Sequence, residues 1–423
     1  MEYKVIDGKG IIPDGITVIG QWAFVNCASL QSIVIPDSIT EIEMKAFKGC
    51  SSLQSIEIPN SVTEIGGGVF ENCTSLQSIV IPDSVTKIGE SAFSGCTSLQ
   101  SIVIPDSVTS ISAGAFDGCT SLQSIVIPDS VTEIGAYAFK GCSSLQSIEI
   151  PNSVTEIVRY AFLDCDNLTS IIVSKNNSKY KAINNCVLTK DGKKLIFCLN
   201  HNIPDGVTKI ADYAFSGCAS LQSIEIPNSV TEIGECAFSD CANLQSIVIS
   251  DSVTEIGKVA FWGCTSLQSI EIPDSVTSIS AGAFRGCTNL QSIEIPDSVT
   301  LIREGAFSGC TSLQSIVIPD SVTEIGESAF RCCTSLQSIV IPDSVTEVGW
   351  SAFWGCTSLQ SIDIVTKEKE PDMTRERIEY LLQVLSYYSK EFSLRVPIGR
   401  GYAYRHYPAF EGKFKTILAD IDV

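Results

Sequence analysis

The sequence predicts an α/β solenoid, one stack of near-identical coils, and three observations carry that reading. The first is a strict period of twenty-three along the chain. Cysteines fall at Cys27, Cys50, Cys73, Cys96, Cys119, Cys142 and Cys165, then at Cys218, Cys241, Cys264, Cys287, Cys310, Cys333 and Cys356. A phenylalanine stands three residues before each, from Phe24 to Phe353, so 14 of 18 Phe and 14 of 18 Cys belong to one register. The second observation is the alternation inside each copy. In Leu99-x-x-Ile102-x-Ile104 the two isoleucines point one way along a strand. The third is size. The inward residues of one copy cannot offset the entropy of ordering the whole copy, so each needs neighbours on both open faces.

The elements follow in order along the unit Ala-Phe-x-Gly-Cys-Thr-Ser-Leu-Gln-Ser-Ile-x-Ile-Pro-Asp-Ser-Val-Thr-Glu-Ile-Gly-x-x. Leu99 to Ile104 is the strand, and equivalent strands stack in parallel about 4.8 Å apart. Pro105 stops the pairing and Pro105-Asp106-Ser107 turns the corner. Val108 and Ile111 point back inside on a return leg. Glycines such as Gly89 and Gly135, with Ser112 in one copy, mark a sharp bend before a short helical turn carrying Ala-Phe. Fourteen coils of this kind would form a curved rod of roughly 65 Å.

Composition limits the partners. The chain has 423 residues, 28 basic against 48 acidic, for a net charge of −20, and 44% of it is apolar. Such a polyanion repels nucleic acid and anionic lipid. No run reaches the eighteen or so apolar residues of a membrane span. The first ten residues lack the apolar stretch of a signal peptide.

The L-x-x-I-x-I strand matches that of leucine-rich repeats. The wider unit, with A-F-x-G-C and I-P-x-S-V-T-x-I-G, closely resembles the BspA-like (Treponema-type) leucine-rich repeats over about residues 11 to 364. The resemblance implies a right-handed horseshoe with the parallel sheet on the concave face and short helical or extended segments on the convex face. It also implies a surface protein of bacteria or protists that binds host or neighbouring-cell proteins, at the cell surface or secreted.

The pattern divides the chain into 1–173, 174–203, 204–365 and 366–423. The first part is an N-terminal cap and repeats: residues 1–10 cover the open end and Ile11-Ile12-Pro13 begins a partial unit. Cys165 to Cys218 spans one period plus a further 30 residues. That excess carries Lys175, Lys179, Lys181, Lys190, Lys193 and Lys194 against Asp191. Asp191-Gly192 between two apolar runs predicts a projecting β-hairpin. Its lysines keep the edge soluble, or they form a basic knob for an acidic partner through Lys190, Lys193 and Lys194. After the third part, again repeats, residues 366–423 change in character, with 10 basic against 9 acidic residues and six of the 11 Tyr. Helical spacing from Thr374 to Phe392 predicts a capping helix resting on Trp350 and Trp354. The Arg- and Tyr-rich stretch 399–407 reads as an irregular extension or a partner contact.

The chemistry-bearing residues read as structural. The cysteine columns are small buried thiols, and eighteen free thiols point to a reducing or anaerobic setting. Cys186 and Cys198 are the one pair that the hairpin could bring together. The acidic column from Asp37 and Asp83 to Asp343, with Asn60, Asn152 and Asn228 as substitutes, fits a turn role better than a cation site. Asn72, Asn167 and Asn176 head formal glycosylation triplets, the first two inside coils. With two histidines and no catalytic motif, no cofactor, metal or enzyme activity is expected. A small activity in the tail, 366–423, is the least favoured reading.

The outward residue between the two inward isoleucines varies from coil to coil, beside a row of serines from Ser32 to Ser361. Val80, Val103 and Val126 make an apolar stripe, and Glu271, Glu294, Val317 and Val340 continue the column in the later coils. An exposed apolar stripe suggests contact with another protein, while Val is also a good strand former. The position after Phe varies too: Lys48, Glu71, Asp117, Trp262, Arg285, Arg331 and Trp354. Aromatic and Arg residues are the types enriched at interfaces. The reading is a protein-binding scaffold, adhesin-like by resemblance, with a ligand-free spacer rod as its rival.

Overall fold

The computed structural model describes residues 3–364, 393–396 and 416–419. The chain divides into two compact units, Met1–Pro204 and Asp205–Val423, and each repeats one plan. In a representative coil, Leu99, Ile102, Ile104, Val108, Ile111, Ala115, Phe116 and Cys119 are all buried. Strand Ser101–Val103 pairs in parallel with Ser124–Val126, so Ile102 lies beside Ile125. The corner closes where Val108 N–H donates to Pro105 O at 3.0 Å.

The return leg is more regular than the sequence indicates. It forms a second parallel ladder, seven strands deep in the first unit from Val18–Ile19 to Glu156–Ile157. In the second unit it runs from Lys209–Ile210 through Glu232–Ile233 to Glu255–Ile256, and again from Ser278–Ile279 to Glu347–Val348. Between the two ladders, Thr132 N–H donates to Thr109 O at 2.9 Å while Thr132 Oγ1 donates to the same oxygen at 3.2 Å.

The Ala-Phe leg is not helical, and no helix occurs among the described residues. It is a run of tight turns: Asp117 N–H donates to Gly114 O at 3.0 Å and Cys119 N–H to Phe116 O at 3.1 Å. Gly114 and Gly118 have φ of 60° and 70°. A left-handed residue every fourth position stops helix propagation. Alternate amides of the leg point along the stack instead: Gly114 N–H donates to Ala136 O, Phe116 N–H to Ala138 O and Gly118 N–H to Lys140 O. Gly135 serves a different need: a Cβ there would lie 2.7 Å from Ala113 N of the preceding coil.

The interior is a set of like columns. From Phe24 to Phe162 the rings stack nearly parallel, 5.2–5.7 Å apart. The cysteine column does more than fill space, because the thiols from Cys50 to Cys165 and from Cys241 to Cys356 each donate to the Phe carbonyl of the coil before. Cys96 Sγ bonds Phe70 O and Cys119 Sγ bonds Phe93 O, at 3.1 and 3.2 Å. Burial pushes Cys50, Cys96 and Cys165 up to about 12, so these thiols keep their protons.

Aromatic rings also close the first unit's stack. Lys4–Ile6 and Lys9–Ile11 form an antiparallel hairpin that hands on to Ser32–Ile33 in parallel. This places Tyr3 against Phe24 at 5.0 Å. At the other end the insertion does not simply project. It is a three-stranded antiparallel meander, Tyr180–Ile183, Cys186–Thr189 and Lys194–Cys198. Val187, Leu188 and Leu195 are buried, and Phe197 lies 5.2 Å from Phe162. Buried Asn177 pins its start, donating to Pro151 O and Val154 O and accepting from Lys179 and Tyr180 amides.

Cys186 and Cys198 face each other in register and are joined by a disulfide. This corrects the expectation of eighteen free thiols; the other sixteen cysteines are not disulfide-bonded. The strand ladder also outlasts the recognisable repeats. Ser361–Ile364 pairs in parallel with Ser393–Val396, and that strand with Thr416–Ala419. The tail is therefore not wholly irregular. The capping helix expected at 374–392 and the stretch 399–407 lie outside the described residues. Trp350 and Trp354, its expected floor, are exposed.

Candidate binding face

Each strand Ser-Ile-x buries its isoleucine and turns Ser and x to solvent, so stacking converts the x position into a surface column. In the first unit it runs Val34, Glu57, Val80, Val103, Val126, Glu149 and Ile172. Register joins Glu57 to Val80, Val103 to Val126 and Glu149 to Ile172. Val80, Val103 and Val126 are 60%, 77% and 76% exposed. They form three consecutive apolar rungs with a carboxylate above and below. In the second unit Glu271 lies beside Glu294 and Val340 beside Asp363, while Val317 and Val340 are exposed. Glu271 and Glu294 thus share an edge as like charges.

The three hairpin lysines separate. Lys190 and Lys193 are exposed at the tip. Lys190 Nζ donates to Lys175 O at 3.1 Å. Lys194 is half-buried, its amide held by Thr189 Oγ1 at 3.0 Å. Asp191 organises the turn, accepting from Thr189 Oγ1 at 2.6 Å and Lys193 N–H at 2.9 Å. Those bonds hold its carboxyl below the usual range.

The turn leg carries a surface that the sequence only hinted at. All four tryptophans of the chain, Trp22, Trp262, Trp350 and Trp354, sit on it and are exposed. The Arg331 guanidinium lies 4.6 Å from the Trp354 ring centroid. In the first unit the leg is internally matched. Lys48 pairs with Glu71 at 2.8 Å, and Lys140 lies over the Tyr137 ring, itself stacked on Tyr160.

Among the described residues no group of three or more His, Cys, Asp or Glu could hold a metal ion. A hollow beside Gln21, Glu43, Met44 and Glu64 opens in the first unit, where Glu43 Oε2 accepts the Gln21 amide at 2.6 Å. Among the described residues no helix is long and apolar enough to cross a membrane.

Parallel ladders, inward Leu and Ile columns and a variable outward column define a leucine-rich-repeat solenoid, a class of repeat scaffold. The family described as "BspA type Leucine rich repeat region (6 copies)" matches residues 9–114, 86–190, 197–310 and 255–370, and the chain belongs to it. A leucine-rich-repeat protein from Bacteroides ovatus is similar at 34% identity, covering 82% of each chain, with a TM-score of 0.52. A leucine-rich cell surface protein from Faecalibacterium prausnitzii is similar at 34% identity over 86% of this chain and 85% of that one, with a TM-score of 0.53. One from Eubacterium ventriosum shares 28% identity over 76% and 85%, with a TM-score of 0.64. No curated protein matches the sequence.

Proposed function

We propose that the chain is a non-enzymatic protein-binding scaffold that contacts its partner through the Val80–Val103–Val126 rungs. The observation that carries this reading is three consecutive valines, each more than half exposed, on a parallel ladder whose other outward neighbours are serines. Such a stripe gains by leaving water, and Glu57 and Glu149 at its ends would set the partner's register. The likeness to a cell surface protein of F. prausnitzii supports a place at the cell surface.

The exposed tip lysines Lys190 and Lys193, with Lys194, are a secondary contact for an acidic surface.

The test is quantitative capture with Val103→Arg beside the unaltered chain. A protein retained by the original and lost from the folded variant supports the scaffold. No protein that distinguishes the two leaves the spacer rod as the better reading. Replacing Lys190, Lys193 and Lys194 by Gln then reports on the hairpin.

A further inference from the structure

The second unit's turn leg holds an unused constellation. The position after Phe reads Trp262, Arg285, Ser308, Arg331 and Trp354 on five successive coils. Backbone bonds of 2.7–2.8 Å fix these rungs in line: Gly263 N–H to Arg285 O, Gly286 N–H to Ser308 O, Gly309 N–H to Arg331 O and Cys332 N–H to Trp354 O. The Phe rings behind them set a step of 5.4–5.6 Å. Trp262 and Trp354 are 43% and 51% exposed. Both arginines are exposed, and among the described residues neither has an ion-pair partner.

Charge sharpens the pattern. Residues 205–364 contain five basic side chains against 19 acidic ones. Four of the five, Lys258, Arg285, Arg303 and Arg331, lie on this leg or at its entry, with Glu304, Glu327 and, beside the Trp262 rung, Asp240 as acidic neighbours. An anion approaching this unit is repelled elsewhere and drawn here.

We propose that the Trp262–Arg285–Arg331–Trp354 ledge binds an extended acidic polysaccharide, a chain of uronic acid residues. The two arginines stand two coils apart with Ser308 between them, so they suit a polymer whose like-facing charges recur at about twice the coil step. In an extended β-(1→4)-linked pyranose chain successive rings face opposite ways, so every second carboxylate points to the same side, as the two arginines do on every second coil. Sugar rings present C–H faces that stack on an indole. Each guanidinium can take a carboxylate through two parallel N–H donors. Arg331, already stacked on Trp354, is pre-positioned for one ring and its carboxylate together.

The test uses the full chain and two octasaccharides, β-(1→4)-mannuronate and β-(1→4)-mannose, which share ring and linkage and differ only in the carboxylate. Calorimetry at low salt should show the mannuronate binding at least tenfold more tightly than the neutral chain. Arg285→Gln/Arg331→Gln and Trp262→Ala/Trp354→Ala should each weaken it at least tenfold, with unchanged circular dichroism. Arg285→Lys/Arg331→Lys, which keeps charge and fold, should still weaken it severalfold. Val103→Arg should leave it unchanged, which separates this ledge from the sheet-face reading. Equal affinity for both sugars, no heat with either, or full affinity in the lysine variant would overturn the proposal. So would tighter binding of a single-stranded oligonucleotide through the same arginines.

Discussion

On the sheet face of the first unit, Val80, Val103 and Val126 stand on consecutive rungs between Glu57 and Glu149, whereas the second unit carries Glu225, Glu271 and Glu294 in the same column. The turn legs differ in the opposite sense. The first unit pairs Lys48 with Glu71, and the second leaves Trp262, Arg285, Arg331 and Trp354 facing water. Behind these surfaces the interiors repeat each other: Phe116 and Phe284, Cys119 and Cys287, Ile102 and Ile270 are buried alike. A stacked coil separates the two tasks by geometry. Inward columns touch their own copies and must stay uniform, while outward columns are free to vary.

The severest challenge to that separation is an interior ring. Phe116→Ala and Phe284→Ala each remove a fully buried side chain stacked on both sides. Each should cost its own unit about 3–5 kcal/mol. Urea unfolding of variants that keep Trp22 alone, or Trp262, Trp350 and Trp354 alone, reads the two losses separately. Similar losses uphold equivalent interiors. A loss below about 1 kcal/mol in one unit breaks the comparison.

Alkaline pH tests the same interiors through their thiols. Cys50, Cys96 and Cys165 in the first unit and Cys287 and Cys356 in the second are pushed up to about 12 by burial. A thiol whose folded pKa is raised holds its proton more tightly when folded. Its contribution is complete below the unfolded value, near pH 9, and declines as pH climbs toward 12. Each such thiol should remove about 1.4 kcal/mol per pH unit in that window. Several acting together should unfold both units cooperatively by about pH 11. Thiolate absorbance beyond that of the half-buried Cys27, Cys218 and Cys332, appearing before the circular dichroism changes, would contradict buried columns.

Ile102, Ile104, Val108, Ile111, Phe116 and Cys119 are legible as inward from sequence because each recurs coil after coil at one phase. The second ladder is not, since Glu133–Ile134 is two residues long and shows no alternation of its own. The expected helical turn fails because Ala and Phe alone do not decide the leg, while Gly114 and Gly118, four apart, are the contrary signal. Phe197 is hidden in the sequence because it does not follow Phe162 at the repeat's period, and only the folded meander restores it to the ring column. The tail strands keep one trace: Thr416 follows its register partner Ser393 by one period, although every column residue has changed. Among the candidate site residues, outwardness is readable from strand parity. That Trp262 and Trp354 share a line with two arginines needs the coil-to-coil register.

The smallest expected effect is the most specific to the outward column. Glu271 and Glu294 are register partners, so two carboxylates share an exposed edge. Replacing Glu294 with Gln keeps its shape and removes the repulsion, which should raise stability by about 0.2–1 kcal/mol. Val126→Glu does the reverse in the first unit, setting a new carboxylate between Val103 and Glu149. Val126→Gln separates charge from the loss of an apolar strand former. The Glu variant should fall below the Gln variant by a similar few tenths, and added salt should erase both differences. If the two units respond equally and oppositely, like charge rather than packing governs this column. The acidic rungs of the second unit then persist at a small cost in stability, as a surface kept for contact would.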